Sequence, residues 1–240
     1  EQKSYGGVDT HLAQLINNWP ECNDRIIIVS NRENVGLEFF EKQLKNPVFK
    51  VIKIDGVFDS LGHEKNKIYR ILYFVLYQIK FLLIFSKLLN KLAPDILISN
   101  NGGFPGGFTC WLASILGRTR KGTRNNTFLL VHHAPPDKRG AGFLYASFLA
   151  WLNQYLEIPV ITVSKASKFA LELQTPLKNI HVIYNGLESR LKGESYDFRS
   201  KWGIEDDKII IGMIGPIDAH KGHATILDVF HLSRYLKQSA

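Results

Sequence analysis

Short runs of β-branched and aliphatic residues recur along the 240-residue chain, separated by segments whose apolar positions return every three or four residues. The runs are RIIIVS (25–30), VFKVIKI (48–54), DILISN (95–100), TFLLVHH (127–133), PVITVS (159–164), IHVIYNG (180–186) and KIIIGMIG (208–215). Most are apolar throughout rather than alternating, the pattern of strands covered on both faces in a parallel sheet. Among the intervening segments, Val8, Leu12, Leu15, Ile16 and Trp19 share one helical face. Strands alternating with helices predict βαβ crossovers and a doubly wound, mostly parallel α/β sheet.

The rhythm stops after Asn185-Gly186, where LESRLKGESYDFRSKWGIEDD is polar, charged and aperiodic. This predicts a first domain over 1–187, a linker over 188–207 and a second domain begun at 208 and carried to 240. The second has one strand and one helix, with Ile226, Val229, Phe230, Leu232 and Leu236 on a shared face. Such a pair is too small to bury a core of its own. At the other edge, SYGGVDTHLAQLI reads as a glycine-rich turn opening a helix, a unit that a strand ordinarily precedes, yet five residues stand before Gly6. Both edges carry the pattern of a fragment.

Composition narrows the partners. With 45% hydrophobic residues the chain has the material for a buried core, and its formal charge of +8 favours anions such as nucleotides, sugar phosphates or an anionic membrane surface. Nucleic acid is not expected, because the basic residues are dispersed and no binding motif gathers them. Cys22 and Cys110 are too few for a disulfide framework, and the N-terminus lacks the apolar core of a signal peptide. A cytoplasmic setting, at the inner face of a membrane if attached to one, is the expectation.

Several residues have the chemistry and position for a site. Gly6-Gly7 ahead of an amphipathic helix would let main-chain N–H groups approach a phosphate, though the same pair would also serve as an ordinary tight turn. NNGGFPGGFTCWLASILG (100–117) is a second strand-to-helix junction, placing Asn101, Gly102 and Gly103 at a strand's carboxyl end. Ligands of open α/β sheets bind at such ends, although neither a Walker lysine nor a dinucleotide spacing is present. His132 and His133 close another strand, where an imidazole can bond a sugar hydroxyl or phosphate or move a proton. Alternation sends their rings to opposite faces, and the pattern does not say which ring meets a ligand.

Near the end of the chain, Gly215 and Lys221 bracket a loop before the last helix. An ammonium at a helix N-terminus opposes the dipole, a conflict that an intervening phosphate would relieve. His220 and His223 flank it without carboxylate or thiol companions, so no metal site is expected. Finally, KNKIYRILYFVLYQIKFLLIFSKLLNKL (65–92) is more apolar than a surface helix needs, with Lys80, Lys87 and Lys91 on one stripe. Lys80 interrupts it as a membrane span, which leaves either attachment at an anionic interface or a helix packed on the sheet.

The order of GGVDTHLAQL, NNGGFPGG, VHHAPP, VITVS, VIYNGLE and IGMIGPIDAHKGHATILDVF resembles glycosyltransferase family 4, retaining enzymes of the GT-B fold. The resemblance implies two Rossmann-like domains, the first holding a glycan or lipid-linked acceptor and the second, incomplete here, holding a nucleotide-sugar donor. It implies that Gly6, Gly7, Gly215 and Lys221 meet the donor phosphates, that His132 or His133 approaches the transferred sugar, and that Asn101, Gly102 and Gly103 lie on the acceptor side. No metal cofactor is implied. Pro216 stands where the family pattern has arginine, and the family's paired glutamates would lie past Ala240. The expectation is a sugar-transferring parent whose 240-residue piece is inactive or nearly so. The competing expectation is a non-catalytic membrane or interaction module on an α/β scaffold.

Overall fold

The computed structural model describes residues 7–20, 23–31, 37–45, 49–54, 67–120, 126–133, 140–186, 197–215, 217 and 221–233. Contacts divide the chain into two compact units, Glu1–Leu187 and Glu188–Ala240.

In the first unit the described elements run α1 (Gly7–Asn17), β1 (Ile26–Asn31), α2 (Leu37–Gln43), β2 (Phe49–Ile54), α3 (Lys67–Leu92), β3 (Leu97–Gly103), α4 (Phe108–Thr119), β4 (Thr127–His133), α5 (Ala141–Tyr155), β5 (Val160–Thr162), α6 (Lys165–Gln174) and β6 (Ile180–Val182). Strand pairs β1-β2, β3-β4, β4-β5 and β5-β6 are all parallel, as helix-returned strands must be to lie side by side. They form a two-stranded sheet and a four-stranded sheet of order β3-β4-β5-β6. This is the α/β arrangement that the alternating pattern predicts.

The main core sits on β4. Leu129 and Val131 are wholly inaccessible, with Trp111, Ala146, Leu149, Val160 and Leu171 packed in the same cluster from neighbouring helices and β5. Close approach of α4 to the sheet requires Gly117, since a Cβ there would collide with Leu97 and stand 3.0 Å from Thr127 Oγ1. Some of the polar groups buried with this core are paired, while Ser99 Oγ on β3 and Ser147 Oγ on α5 are buried with no hydrogen-bond partner among the described residues. Ser114 Oγ donates to Asn153 Oδ1 at 2.8 Å, tying α4 to α5. Ser164 caps α6 by accepting from the Ser167 N–H at 3.1 Å. A satellite core of Ala13, Ile16, Leu37 and Phe40 joins α1 and α2 to β1 and β2.

Helix α3 changes character along its length. Phe81, Phe85 and Leu89, four residues apart, are buried in the main core. Toward its N-terminus Tyr69, Ile71, Leu72, Tyr73, Val75 and Leu76 are all exposed, by 46% to 65%. There Phe74 is held edge-to-face by Phe108 of α4 and Tyr145 of α5, with ring centroids at 5.4 and 5.2 Å. Residues Ile71–Leu92 are long and apolar enough to cross a membrane by length and composition. The buried Phe81-Phe85-Leu89 face shows the other use of that apolarity, which is packing on the sheet.

In the second unit two expectations change. The stretch expected to be wholly linker contains α7 (Phe198–Trp202). Asp197 caps it by accepting from the N–H groups of Arg199 and Ser200 at 3.0 and 3.2 Å, and Gly203 closes it in the left-handed conformation at φ 61°. The Arg199 guanidinium then donates to the carbonyls of Glu205 and Lys208 at 2.6 and 2.9 Å. The run at 208–215, expected to be a strand, is in no described sheet, and Ile209, Ile211 and Ile214 are exposed. A strand exists only through its ladder, and among the described residues none lies alongside this run. The last helix, α8 (His223–Leu232), buries none of its described residues.

Candidate functional site

Strands β3 and β4 end together. Their register is regular from Leu97↔Thr127 to Ser99↔Leu129, then slips twice to pair Gly102 with Val131 and Gly103 with His133. The irregularity lets β3 carry Asn100 toward β4's carboxyl end while the chain turns into α4 through Gly107 at φ 70°. Trp111 Nε1 donates back to the Gly103 carbonyl at 3.3 Å, and Phe104 N–H to the His133 carbonyl at 3.1 Å. Cys110 Sγ–H donates to the Asn100 carbonyl at 2.8 Å, and burial pushes that thiol up to about 12.

The two adjacent histidines part ways here. The His132 ring turns into the protein, where its Nε2 lies 2.6 Å from Asn100 Oδ1 and it forms a T-shaped pair with the ring of His11, centroids 5.3 Å apart. With the amide oxygen as acceptor, Nε2 carries the proton and Nδ1 keeps its lone pair. Burial lowers the His132 pKa to about 4, with the neighbouring imidazoles of His11 and His133 adding to the shift. Burial lowers His11 as well. Both rings are therefore neutral near pH 7, and His11 Nδ1 is buried with no hydrogen-bond partner among the described residues. The His133 ring instead lies exposed over β3, so close to Gly103 that a Cβ there would stand 2.9 Å from its Cε1.

Helix α1 supplies His11, and Gly7 stands one turn earlier, about 6 Å along the axis. The contact between His11 and His132 thus brings the N-terminal turn of α1 to the carboxyl end of β4. The fold itself does not require glycine at 7, since a Cβ there would meet nothing within 4 Å. Gly6 lies outside the described residues, as do the side chain of Asn101 and the surroundings of Gly102. In the second unit the Lys221 stem lies over Gly215, its Cγ 3.7 Å from where a Cβ would be. Lys221 immediately precedes Gly222, the left-handed N-cap of α8 at φ 72°. Lys80, Lys87 and Lys91 of α3 line a groove shared with Lys53 of β2, and none of the histidines lines it.

Two members of the cluster, His11 and Asn100, were not singled out by sequence reasoning. Asn100 opens the glycine-rich junction that drew attention to its successors. His11 is the polar residue one turn beyond the Gly-Gly pair, a spacing that places it on the helix side reached by Gly7.

A parallel α/β unit with glycine-led turns and a histidine at the carboxyl ends of its strands belongs to the Rossmann-like class from which GT-B transferases are built. The family model of glycosyltransferase family 4 matches residues 5–190, and the chain belongs to that family. Searches among curated proteins and among solved structures matched nothing. Membership makes a sugar donor and an acceptor the general substrates.

Proposed function

We propose that the protein moves a sugar from a nucleotide-sugar donor to a glycan or lipid-linked acceptor, retaining anomeric configuration, at the cytoplasmic face of an anionic membrane. The observation that carries the donor part is the meeting of α1's glycine-led N-terminus with His132 through His11. A helix N-terminus presents N–H groups with no intrahelical acceptor, and an absent side chain at position 7 lets a diphosphate come within bonding distance of them. Asp9 in the same first turn shares that positive end, so the dipole is already partly compensated and the approach permitted by Gly7 matters more than long-range attraction.

His132 works as a neutral group. Held through Nε2 by Asn100, it offers Nδ1 as an acceptor for a hydroxyl of the transferred sugar and stays uncharged while the reacting carbon gains positive character. His133, the other histidine of the pair, borders the acceptor-side loop of Asn101, Gly102 and Gly103. The second unit, taken by itself, carries Gly215 and Lys221 as its donor-phosphate candidates, the ammonium being able to offset negative charge on a phosphate.

Ligand-observed NMR of the full chain with UDP-, GDP- and ADP-sugars tests this reading. One donor should bind, and Gly7→Ala should weaken it about tenfold, the worth of one charge-assisted hydrogen bond. Donor binding that is unmoved by Gly7→Ala, His132→Ala and Lys221→Gln alike would remove it.

The membrane part rests on α3. Its exposed face sets Leu76, Ile79 and Leu83 beside Lys80 and Lys87, and α5 exposes Leu144, Phe148, Trp151 and Tyr155. The stacked Phe148, Trp151 and Tyr155 rings suit the headgroup layer. Flotation with anionic vesicles checks this, and a chain that floats but binds no nucleotide sugar would favour the non-catalytic module.

A further inference from the structure

Between β2 and α3 lies an open groove of about 600 Å³ whose rim carries Lys53, Lys80, Lys87 and Lys91 and whose floor is Ile52, Ile84 and Leu88. We propose that this groove seats the phosphate headgroup of a single membrane lipid. The proposal rests on reading α3 as a membrane-facing element, and goes further by replacing diffuse attraction with a defined seat that includes a residue outside the helix.

The helix repeat builds the cationic rim. Positions 80, 87 and 91 are separated by seven and four residues, which brings all three ammonium stems to one side of α3. Lys53 reaches the same groove from β2, so two elements distant in sequence contribute to it. Four like charges around one concavity repel each other unless something offsets them. Among the described residues one carboxylate does so, Glu41, 3.9 Å from Lys53 Nζ. Lys80, Lys87 and Lys91 have no carboxylate partner among the described residues. An anion of one or two charges fits that deficit.

The floor identifies the anion as the head of an amphiphile. Ile84 and Leu88 line the groove beneath the lysines, apolar surface that the chains of an amphiphile cover and inorganic phosphate does not. The apolar surface also continues out of the groove. Leu83 and Ile79 precede Lys87 and Lys80 by four and one residues and are exposed at 61% and 48%. A phosphate held by the lysines would therefore have its attached chains directed along an apolar helix face and into the bilayer that face contacts. Long lysine stems suit this task, since they cover apolar surface while their heads stay at the interface.

The test uses the full chain, phosphatidylcholine vesicles with and without phosphatidic acid, and water-soluble short-chain phosphatidic acid. Lys53→Gln and Lys87→Gln should each weaken binding to phosphatidic acid vesicles about fivefold, and Lys178→Gln, at the far strand of the sheet beside β6, should leave it unchanged. The short-chain lipid should protect against chemical shift changes on vesicle addition, and inorganic phosphate should not. If Lys178→Gln costs as much as Lys53→Gln, attachment follows total charge and the seat does not exist, while membrane attachment itself stands. Competition by inorganic phosphate as effective as the short-chain lipid assigns the groove to a small anion and overturns the lipid. No vesicle binding by the unsubstituted chain removes both the seat and the membrane reading. Thermal melts of the variants establish that each is folded, as exposed lysine substitutions should leave them.

Discussion

The runs TFLLVHH and KIIIGMIG are nearly interchangeable as patterns, and they finish in opposite situations. The first becomes β4, paired on both sides by β3 and β5, with Leu129 and Val131 sealed from solvent. The second, at 209–214, belongs to no described ladder, and its Ile214 side chain is wholly exposed. Local apolarity is the same in both, so the difference lies in what stands beside them. A strand's stability is a property of its neighbours, and β-propensity reports only fitness for such company.

The largest test of that contrast is truncation of equivalent positions. Leu129→Ala should destabilise the first unit by about 2–5 kcal/mol in urea unfolding, since it empties a site with no room to collapse. Gly117→Ala sharpens the picture of how tightly β4's partners close, because its added methyl meets Leu97 and Thr127, and a loss of about 1–3 kcal/mol is expected from overpacking.

Acid should act on β4 and leave the 209–214 run untouched. His132 is lowered to about 4 from its ordinary 6.5, so between those values the unfolded chain binds the proton that the folded chain refuses. The resulting stability is complete above pH 6.5 and is lost as pH falls toward 4. Melting temperature of the first unit should therefore drop by several degrees from pH 7 to pH 5, and His132→Gln should flatten that slope. Smaller still, Gly7→Ala should raise stability by about 0.5–1 kcal/mol, because helix α1 gains an alanine where nothing obstructs it. At the bottom of the scale, Ile210→Ala should change stability by less than about 0.5 kcal/mol, and amides 210–213 should exchange orders of magnitude faster than those of 129–131.

The parallel α/β class was legible because βαβ alternation is written in the period of the apolar residues. Strand ends were less so. IHVIYNG pairs only over Ile180–Val182, while β3 continues past its apolar run to Gly103, because ladder length depends on the partner strand. Helix α7 was hidden in a polar stretch since its stability comes from caps at Asp197 and Gly203 rather than from a buried face. At the site, glycine turns and histidines stood out by residue type. The partnership of His132 with Asn100 and His11 did not, as it joins positions 32 residues apart in one case and on different elements in both. No periodicity encodes such a meeting.

The hydrogen bond from Cys110 to the Asn100 carbonyl has a practical corollary. Asn100 also holds His132, so the sulfur is fastened to the backbone on which that imidazole depends. With its proton held to about pH 12, the thiol is a poor nucleophile as long as the junction stays shut. Alkylation at Cys110 would then keep time for the opening of the junction, and anything that settles into it should slow that clock.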